Sequence, residues 1–298
     1  MNLMEECAIC PRNCKVDRTT GKKGYCRMTD KLVVARAALH MWEEPCISGT
    51  NGSGTVFFSG CSLGCVYCQN HTIATGKTGK EITKERLAEI FLELQSKGAH
   101  NINLVTPSHF VPQIIDALVM SRKKGLKIPI VYNSSGYEKV EIIKMLEGHI
   151  SIYLPDLKYM DVSIAKKYSN CSDYFEHASK AIEEMVRQTG EVSFDESGMA
   201  VKGVIVRHMT LPGCLDDSRN IIRYLHETFG DKIYLSIMNQ YTPLDEVTKY
   251  PEINRKITDD EYEELVDYAV SIGVENGFIQ EGETALESFI PDFDCEGV

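Results

Sequence analysis

No stretch of this 298-residue chain strings together 18 apolar residues, and its opening MNLMEECAICPRNC lacks the basic start and apolar run of a secretory leader. No membrane association is expected, and the expected location is the cytoplasm. Basic residues are in short supply, with 32 Lys and Arg against 43 Asp and Glu and a net charge of -11. That balance excludes general binding to a nucleic-acid backbone or to an anionic membrane surface. Internal repeats and low-complexity tracts are absent, and no Ser-His-Asp set can be assembled, which removes that route to acyl transfer. What remains is an ordinary globular composition with 25% charged residues, long enough for one large α/β domain or two smaller ones.

Cysteine, by contrast, is plentiful, at 11 residues. Without a leader these point to metal or redox chemistry and not to a disulfide framework. Cys7, Cys10, Cys14 and Cys26 form one group, Cys61, Cys65 and Cys68 a second, and Cys46, Cys171, Cys214 and Cys295 are scattered and read as packing residues or idle thiols.

Six apolar runs read as strands: GTVFFSG (54–60), NINLVT (101–106), IPIVYN (128–133), ISIYLPD (150–156), VKGVIVRHM (201–209) and KIYLSIMN (232–239), with GFIQ (277–280) as a candidate seventh. Stretches of helical period lie between them. Thr83, Asp216 and Thr258 stand where N-caps belong, and Gly98, Gly125, Gly230 and Gly273 follow as C-caps. Continuous Val/Ile/Leu strands alternating with helices imply a parallel sheet covered by helices, here an α/β partial (β/α)6 barrel with functional residues at the C-terminal strand ends. Residues 1–50 read as a cysteine-rich N-terminal extension containing one strand, KLVVARAALH, and residues 51–298 as the barrel.

SGCSLGCVYCQN (59–70) follows the first barrel strand directly and carries C-x3-C-x2-C. Three thiolates can hold three corners of a cubane iron-sulfur cluster and leave the fourth iron open for a ligand, which suggests catalysis where four would suggest structure or electron transfer. The alternative is a zinc site completed by His71 or Cys46. Upstream, CAICPRNCKVDRTTGKKGYC gives C-x2-C-x3-C-x11-C, four thiolates suited to a zinc ion or to a second iron-sulfur cluster, which spacing alone does not separate.

The loop GCSLGCVYCQN resembles the signature of the radical S-adenosylmethionine (SAM) superfamily. Within it the stretches WEEPCISGTNGSGTVFFSGCSLGCVYCQN, PIVYNSSGYE, YLPDLKYMD, VIVRHMTLPG and MNQYTP resemble proteins related to pyruvate formate-lyase activating enzyme. The resemblance implies a radical SAM partial barrel in which Cys61, Cys65 and Cys68 hold a [4Fe-4S] cluster, SAM chelates its open iron, and Tyr67 lies near the adenine. It further implies an oxidoreductase that reductively cleaves SAM and abstracts hydrogen from a protein loop or a small metabolite, with an activase-like role toward a glycyl-radical enzyme, and an electron donor such as flavodoxin or ferredoxin. The alternative function is an iron-sulfur binding or electron-transfer protein that does not cleave SAM.

Carried over strand by strand, the resemblance places Thr106, Pro107 and Ser108 where relatives have Gly-Gly-Glu, so the Thr106 backbone is left to meet the SAM amino group; a plain turn with Ser108 as N-cap is the competing reading. Asn133 and Ser134 approach SAM on the third strand, and Asp156 and Lys158 line its amino-acid end on the fourth. Adjacent residues of a strand face opposite ways, so only one of Arg207 and His208 points inward; Arg207 is expected there, because a guanidinium can hold a carboxylate bidentately. Asn239 and Gln240 reach the ribose region, with Gln240 the expected contact. His109 and His208 are expected in core or capping roles, and Tyr67, Tyr137 and Cys214 are candidate hydrogen donors.

Overall fold

The seven strands that read as apolar runs in the sequence line up in parallel, six of them largely buried and the seventh, Gly277–Ile279, an exposed edge. The computed structural model describes residues 3–280 and 291–298. Its strands are β1 (Leu32–His40), β2 (Ser53–Phe58), β3 (Lys80–Ile82), β4 (Ile102–Val105), β5 (Ile130–Ser134), β6 (Ile152–Pro155), β7 (Ser193–Phe194), β8 (Ala200–Met209), β9 (Tyr234–Met238) and β10 (Gly277–Ile279). The order across the sheet is β10-β9-β8-β6-β5-β4-β2-β1-β3, with β7 paired to β8. From β2 through β10 the path is parallel, while β1 runs antiparallel to both β2 and β3. The sheet curls but does not close, and the candidate strand at 277–280 is a seventh parallel member. No helix among the described residues is long and apolar enough to cross a membrane.

Side chains alternate between two environments, as the pleat requires. Val131, Ile152, Leu154 and Ile205 face inward and pack with Cys46 and Ile47, whereas Leu104, Tyr132, Tyr153, Val204 and Val206 pack outward into the helical layer. Pro155 has no N–H to give the ladder. The β6–β8 pairing is correspondingly short, Ile152 to Gly203 and Tyr153 to Val204, and resumes only as a bridge between Asp156 and Arg207.

The expected boundary at residue 50 runs through one sheet, with β1 on its N-terminal side and β2 on the other. Between these antiparallel strands, residues 41–52 cross the N-terminal ends of the parallel strands. Asn101 fixes this crossing: its Nδ2 donates to Ile47 O at 2.7 Å and its Oδ1 accepts from Ser53 Oγ at 2.6 Å. At the chain's other end, residues 291–298 return to β1. There Cys295 N donates to Ala35 O at 3.0 Å and Ala37 N to Glu296 O at 2.8 Å, Arg36 binds Asp294 and Glu296, and Phe293 stacks edge-on against Phe57.

Thr83 and Thr258 cap their helices, and Gly98, Gly125, Gly230 and Gly273 follow helices with positive φ. Asp216 does not cap: the helix Leu215–Phe229 starts from Cys214, and the neighbouring Asp217 instead accepts hydrogen bonds from Met160 N and Asp161 N. Those bonds hold the start of a helix the sequence does not announce, Val162–Ser169, capped by Asp161. Ser108 is likewise no N-cap. It opens a single 3-10 turn, Ser108–Phe110, and its hydroxyl donates to Glu138.

Glu138 is 0% exposed and also accepts from Tyr132 OH at 3.4 Å. Burial pushes its carboxyl up from 4.5 to about 7, against the opposing bonds from Ser108, Ser134 and Tyr132. A carboxyl raised in the folded state stabilises it fully below the unfolded value, and that contribution is lost as pH rises through the folded value. Wild type is therefore expected to lose about 3 kcal/mol relative to Glu138→Gln between pH of about 4.5 and 7, at 1.36 kcal/mol per pH unit. Denaturant unfolding of both proteins across that range checks it, and parallel pH profiles would refute it.

Candidate active site

The curled sheet encloses a cavity of about 360 Å³. Cys61, Cys65, Cys68, Tyr67, Thr106, Asn133, Ser134, Asp156, Lys158, Arg207 and Gln240 all line it. Residues from six separate strand ends thus converge on one space.

The cysteine loop is held in place from outside by the N-terminal extension. Gly60 has φ of 87°, and a Cβ there would meet Cys26 O at 2.5 Å, so the close approach of the two segments requires glycine. Arg12, lying between Cys10 and Cys14, donates to Ser62 O at 2.9 Å, Leu63 O at 3.0 Å, Ser169 O at 3.0 Å and Asn170 O at 2.7 Å, with its guanidinium over the Tyr25 ring at 4.0 Å. Within the loop, Leu63 N points at Cys61 Sγ (3.4 Å) and Ser169 Oγ at Cys65 Sγ (3.0 Å). Burial pushes the Cys61 and Cys68 thiols up, and the neighbouring cysteines add to it while Lys158 opposes. Cys61 and Cys68 are thus costly as bare thiolates, and a cation that displaces their protons suits them. Among the described residues no three metal-binding side chains converge tightly enough for a single ion. A cluster, whose irons each take one cysteine sulfur, does not ask for that convergence. The donor set of three cysteines with N–H and O–H groups aimed at sulfur fits an iron-sulfur cluster.

Tyr67 is buried in a tyrosine nest, edge-on to Tyr159, Tyr168 and Tyr241. Thr106 has φ of 57°, an uncommon conformation for a β-branched residue, at the end of β4 and facing the cavity. Its N–H still pairs with Asn133 O at 2.9 Å.

Arg207 points inward and His208 outward. His208 sits between Leu157 O (2.7 Å) and Ser218 Oγ (2.9 Å), and burial holds its imidazole down to about 4. Each nitrogen of Arg207 is engaged by the protein: Nε to Asp156 at 2.9 Å, Nη1 to Glu43 at 3.1 Å and Nη2 to Asn133 at 2.7 Å. Lys158 holds the other oxygen of Asp156 at 2.7 Å. Burial works against the charge on Asp156, but Arg207 and Lys158 outweigh it and keep the carboxyl below its ordinary value.

Glu43 and Glu44 are not among the residues the sequence points to. Glu43 accepts from Asn103 at 3.0 Å as well as from Arg207, and both carboxylates line the cavity from the residue 41–52 crossing. The available signal was two adjacent acids just ahead of a proline in WEEP. Other candidates lie elsewhere. His71 pairs with Glu246 at 3.1 Å and Cys46 packs with Ile47, so neither completes a site with the three cysteines. His109 is buried against Ser59 O (2.7 Å), Tyr137 donates to Asp173 (2.9 Å), and neither these two nor Cys214 and Asn239 line the cavity.

Cys7, Cys10 and Cys26 are buried and Cys14 half-buried. They form a second group behind the loop, with Cys14 Sγ and Cys26 Sγ both beside Gly24. Burial pushes the Cys10 thiol up to about 12.

The radical SAM superfamily profile matches residues 55–225. An uncharacterized protein of Methanocaldococcus jannaschii is 27% identical over 276 residues, covering 90% of this chain and 75% of its own. The pyruvate formate-lyase-activating enzyme of Clostridium pasteurianum is 27% identical over 184 residues, 59% of this chain and 68% of its own. Among solved structures, the fold is similar to that of the FeFe-hydrogenase maturase HydG from Carboxydothermus hydrogenoformans (TM-score 0.52, 12% identity, 77% of this chain and 54% of that one). It is also similar to that of SuiB from Streptococcus suis, solved bound to S-adenosylmethionine (TM-score 0.50, 15% identity, 75% and 49%). The chain spans about half the length of these two solved structures.

Thr106→Gly is expected to stabilise the fold by about 1 kcal/mol or leave it unchanged, because relief of the left-handed backbone offsets the glycine's greater unfolded-state entropy. Thermal unfolding checks this, and a clear destabilisation would show that the Thr106 side chain, and not its backbone, is what the site needs.

Proposed function

This chain belongs to the radical SAM superfamily, and from that premise we propose that Cys61, Cys65 and Cys68 hold three irons of a [4Fe-4S] cluster and that SAM takes the fourth. When bound, this pair supplies the chemistry of reductive cleavage, in which one electron splits the sulfonium into methionine and a 5′-deoxyadenosyl radical that takes hydrogen from a substrate. The observation that carries the proposal is that the three cysteines and the Asp156–Lys158 pair share one cavity.

The chain's own residues divide the work of binding. Lys158 spends one donor on Asp156 and has others left, so it is the cation that holds the SAM carboxylate. Arg207, expected from the sequence to do this, has each of its three nitrogens held by Asp156, Glu43 or Asn133, which fixes its plane, and acts as a positioning residue. Thr106 and Ser134 offer backbone and hydroxyl groups to the amino-acid end, Gln240 to the ribose and Tyr67 an aromatic edge to the adenine. The substrate is a protein loop or a small metabolite, and the similarity to an activating enzyme supports an activase-like role with flavodoxin or ferredoxin as reductant. For Cys7, Cys10, Cys14 and Cys26 the reading is a second cluster in preference to zinc, since no three of them converge on one ion.

The test uses anaerobically reconstituted, dithionite-reduced protein with SAM. 5′-Deoxyadenosine is expected from wild type and from a Cys10→Ala, Cys26→Ala variant that has lost part of its iron, and none from a Cys61, Cys65, Cys68→Ala variant. An iron-loaded wild type that makes none would leave an iron-sulfur protein that does not cleave SAM. Unchanged iron in the Cys10, Cys26 variant would remove the second cluster. Lys158→Met is expected to weaken SAM binding about tenfold or more, the worth of one hydrogen bond to a charged group; equilibrium dialysis showing undiminished affinity would reassign the carboxylate contact.

A further inference from the structure

The cavity has two chemically different ends. The three cysteines enter it from the C-terminal edge of the parallel strands, whereas Glu43 and Glu44 enter from the opposite edge, on the crossing between β1 and β2. Glu43 is satisfied by Asn103, Asn133 and Arg207. Glu44 is not. It is 8% exposed, lines the cavity, and its Oε2 is buried without a hydrogen-bond partner. Such an orphaned oxygen costs about 1–3 kcal/mol, more if charged. Burial pushes both the Glu43 and the Glu44 carboxyl up, with Arg207 opposing it, so a cation seated at the orphaned oxygen would favour the charged form of Glu44. Beside Glu44, Ser236 and Phe278 stand in register on β9 and β10, and Met238 follows on the same face, so the approach to the carboxylate is largely apolar.

We propose that Glu44 anchors a substrate subsite for a primary ammonium group carried on an apolar stem, whether a free alkylamine or a lysine side chain. A guanidinium fits less well, because its fork is matched by two free carboxylate oxygens and Glu44 has one. The assignment rests on the radical SAM reading only in naming what occupies the cysteine end.

Trp42, the only tryptophan in the chain, precedes Glu43 and lines the same cavity, so its fluorescence reports on this end directly. The full-length reconstituted protein, with and without SAM, is titrated with n-butylammonium, N-acetyl-lysine N-methylamide, n-butanol and butyrate. Saturable responses are expected to the two ammonium compounds and not to butanol or butyrate, and which of the two binds tighter identifies the source. Glu44→Gln is expected to raise Kd at least tenfold, with Glu44→Asp intermediate. Should Glu44→Gln fail to fold by circular dichroism, Glu44→Asp and Ser236→Ala carry the comparison. No saturable ammonium response, an equal response to butanol, or unchanged Kd in the variants would overturn the subsite. Displacement of butylammonium by SAM would also overturn it, by giving Glu44 to the sulfonium. The readout needs no SAM cleavage, so a protein that binds ammonium yet forms no 5′-deoxyadenosine fails the catalytic reading alone.

Discussion

A guanidinium enclosed by a β-sheet finds no partner in the strands' own backbone, whose hydrogen bonds are spent on the ladder, and a buried cation left unpaired is strongly destabilising. Arg207 meets this requirement by drawing Asp156 from the end of β6, Asn133 from β5 and Glu43 from the residues after β1. Much of the interior follows. The chain between β1 and β2 has to pass beneath the parallel strands to deliver Glu43, and in doing so it brings Cys46 and Ile47 as the apolar floor. Asp156, leaving the ladder after Pro155, is free to share its second oxygen with Lys158. The polar line from Glu43 at the floor through Arg207 and Asp156 to Lys158 is thus one continuous set of bonds.

What the sequence reveals about this arrangement depends on how local the cause is. Parallel strands are legible because burial on both faces makes them unbroken apolar runs, and the inward turn of Arg207 over His208 follows from the alternation of a strand alone. The cysteine loop is legible because three thiols within eight residues constrain one another. Glu43 and Glu44 are not, since nothing near them in sequence says that residues 41–52 traverse a barrel whose other walls lie up to about two hundred residues further on. The same holds for the partners of Arg207: its donor capacity is evident, but Asp156, Glu43 and Asn133 come from three distant segments. The helix Val162–Ser169 escaped notice because eight residues hold little periodicity, and its start is fixed by Asp217, more than fifty residues away.

The N-terminal extension carries more than its cysteines. Arg12 gathers four backbone carbonyls from two separate segments, the cysteine loop and the C-terminal end of the helix Val162–Ser169, and the second of these also supplies the Ser169 hydroxyl at Cys65. A single fixed fork of donors therefore links residues 10–14 to the geometry around the signature cysteines. The two cysteine groups, separate in sequence, share a mechanical element.

The return of residues 291–298 to β1 gives the enclosure one wall of a different kind. Elsewhere the sheet is held by ladder bonds shielded between layers; here Arg36 meets Asp294 and Glu296, whose carboxylates are more than half exposed. Attraction between such surface charges decays over a Debye length, about 8 Å at physiological ionic strength and about 3 Å in molar salt. Dissolved ions around the protein thus loosen the charged part of the fastening of residues 291–298, while its two backbone hydrogen bonds to β1, like the parallel strands, are indifferent to them.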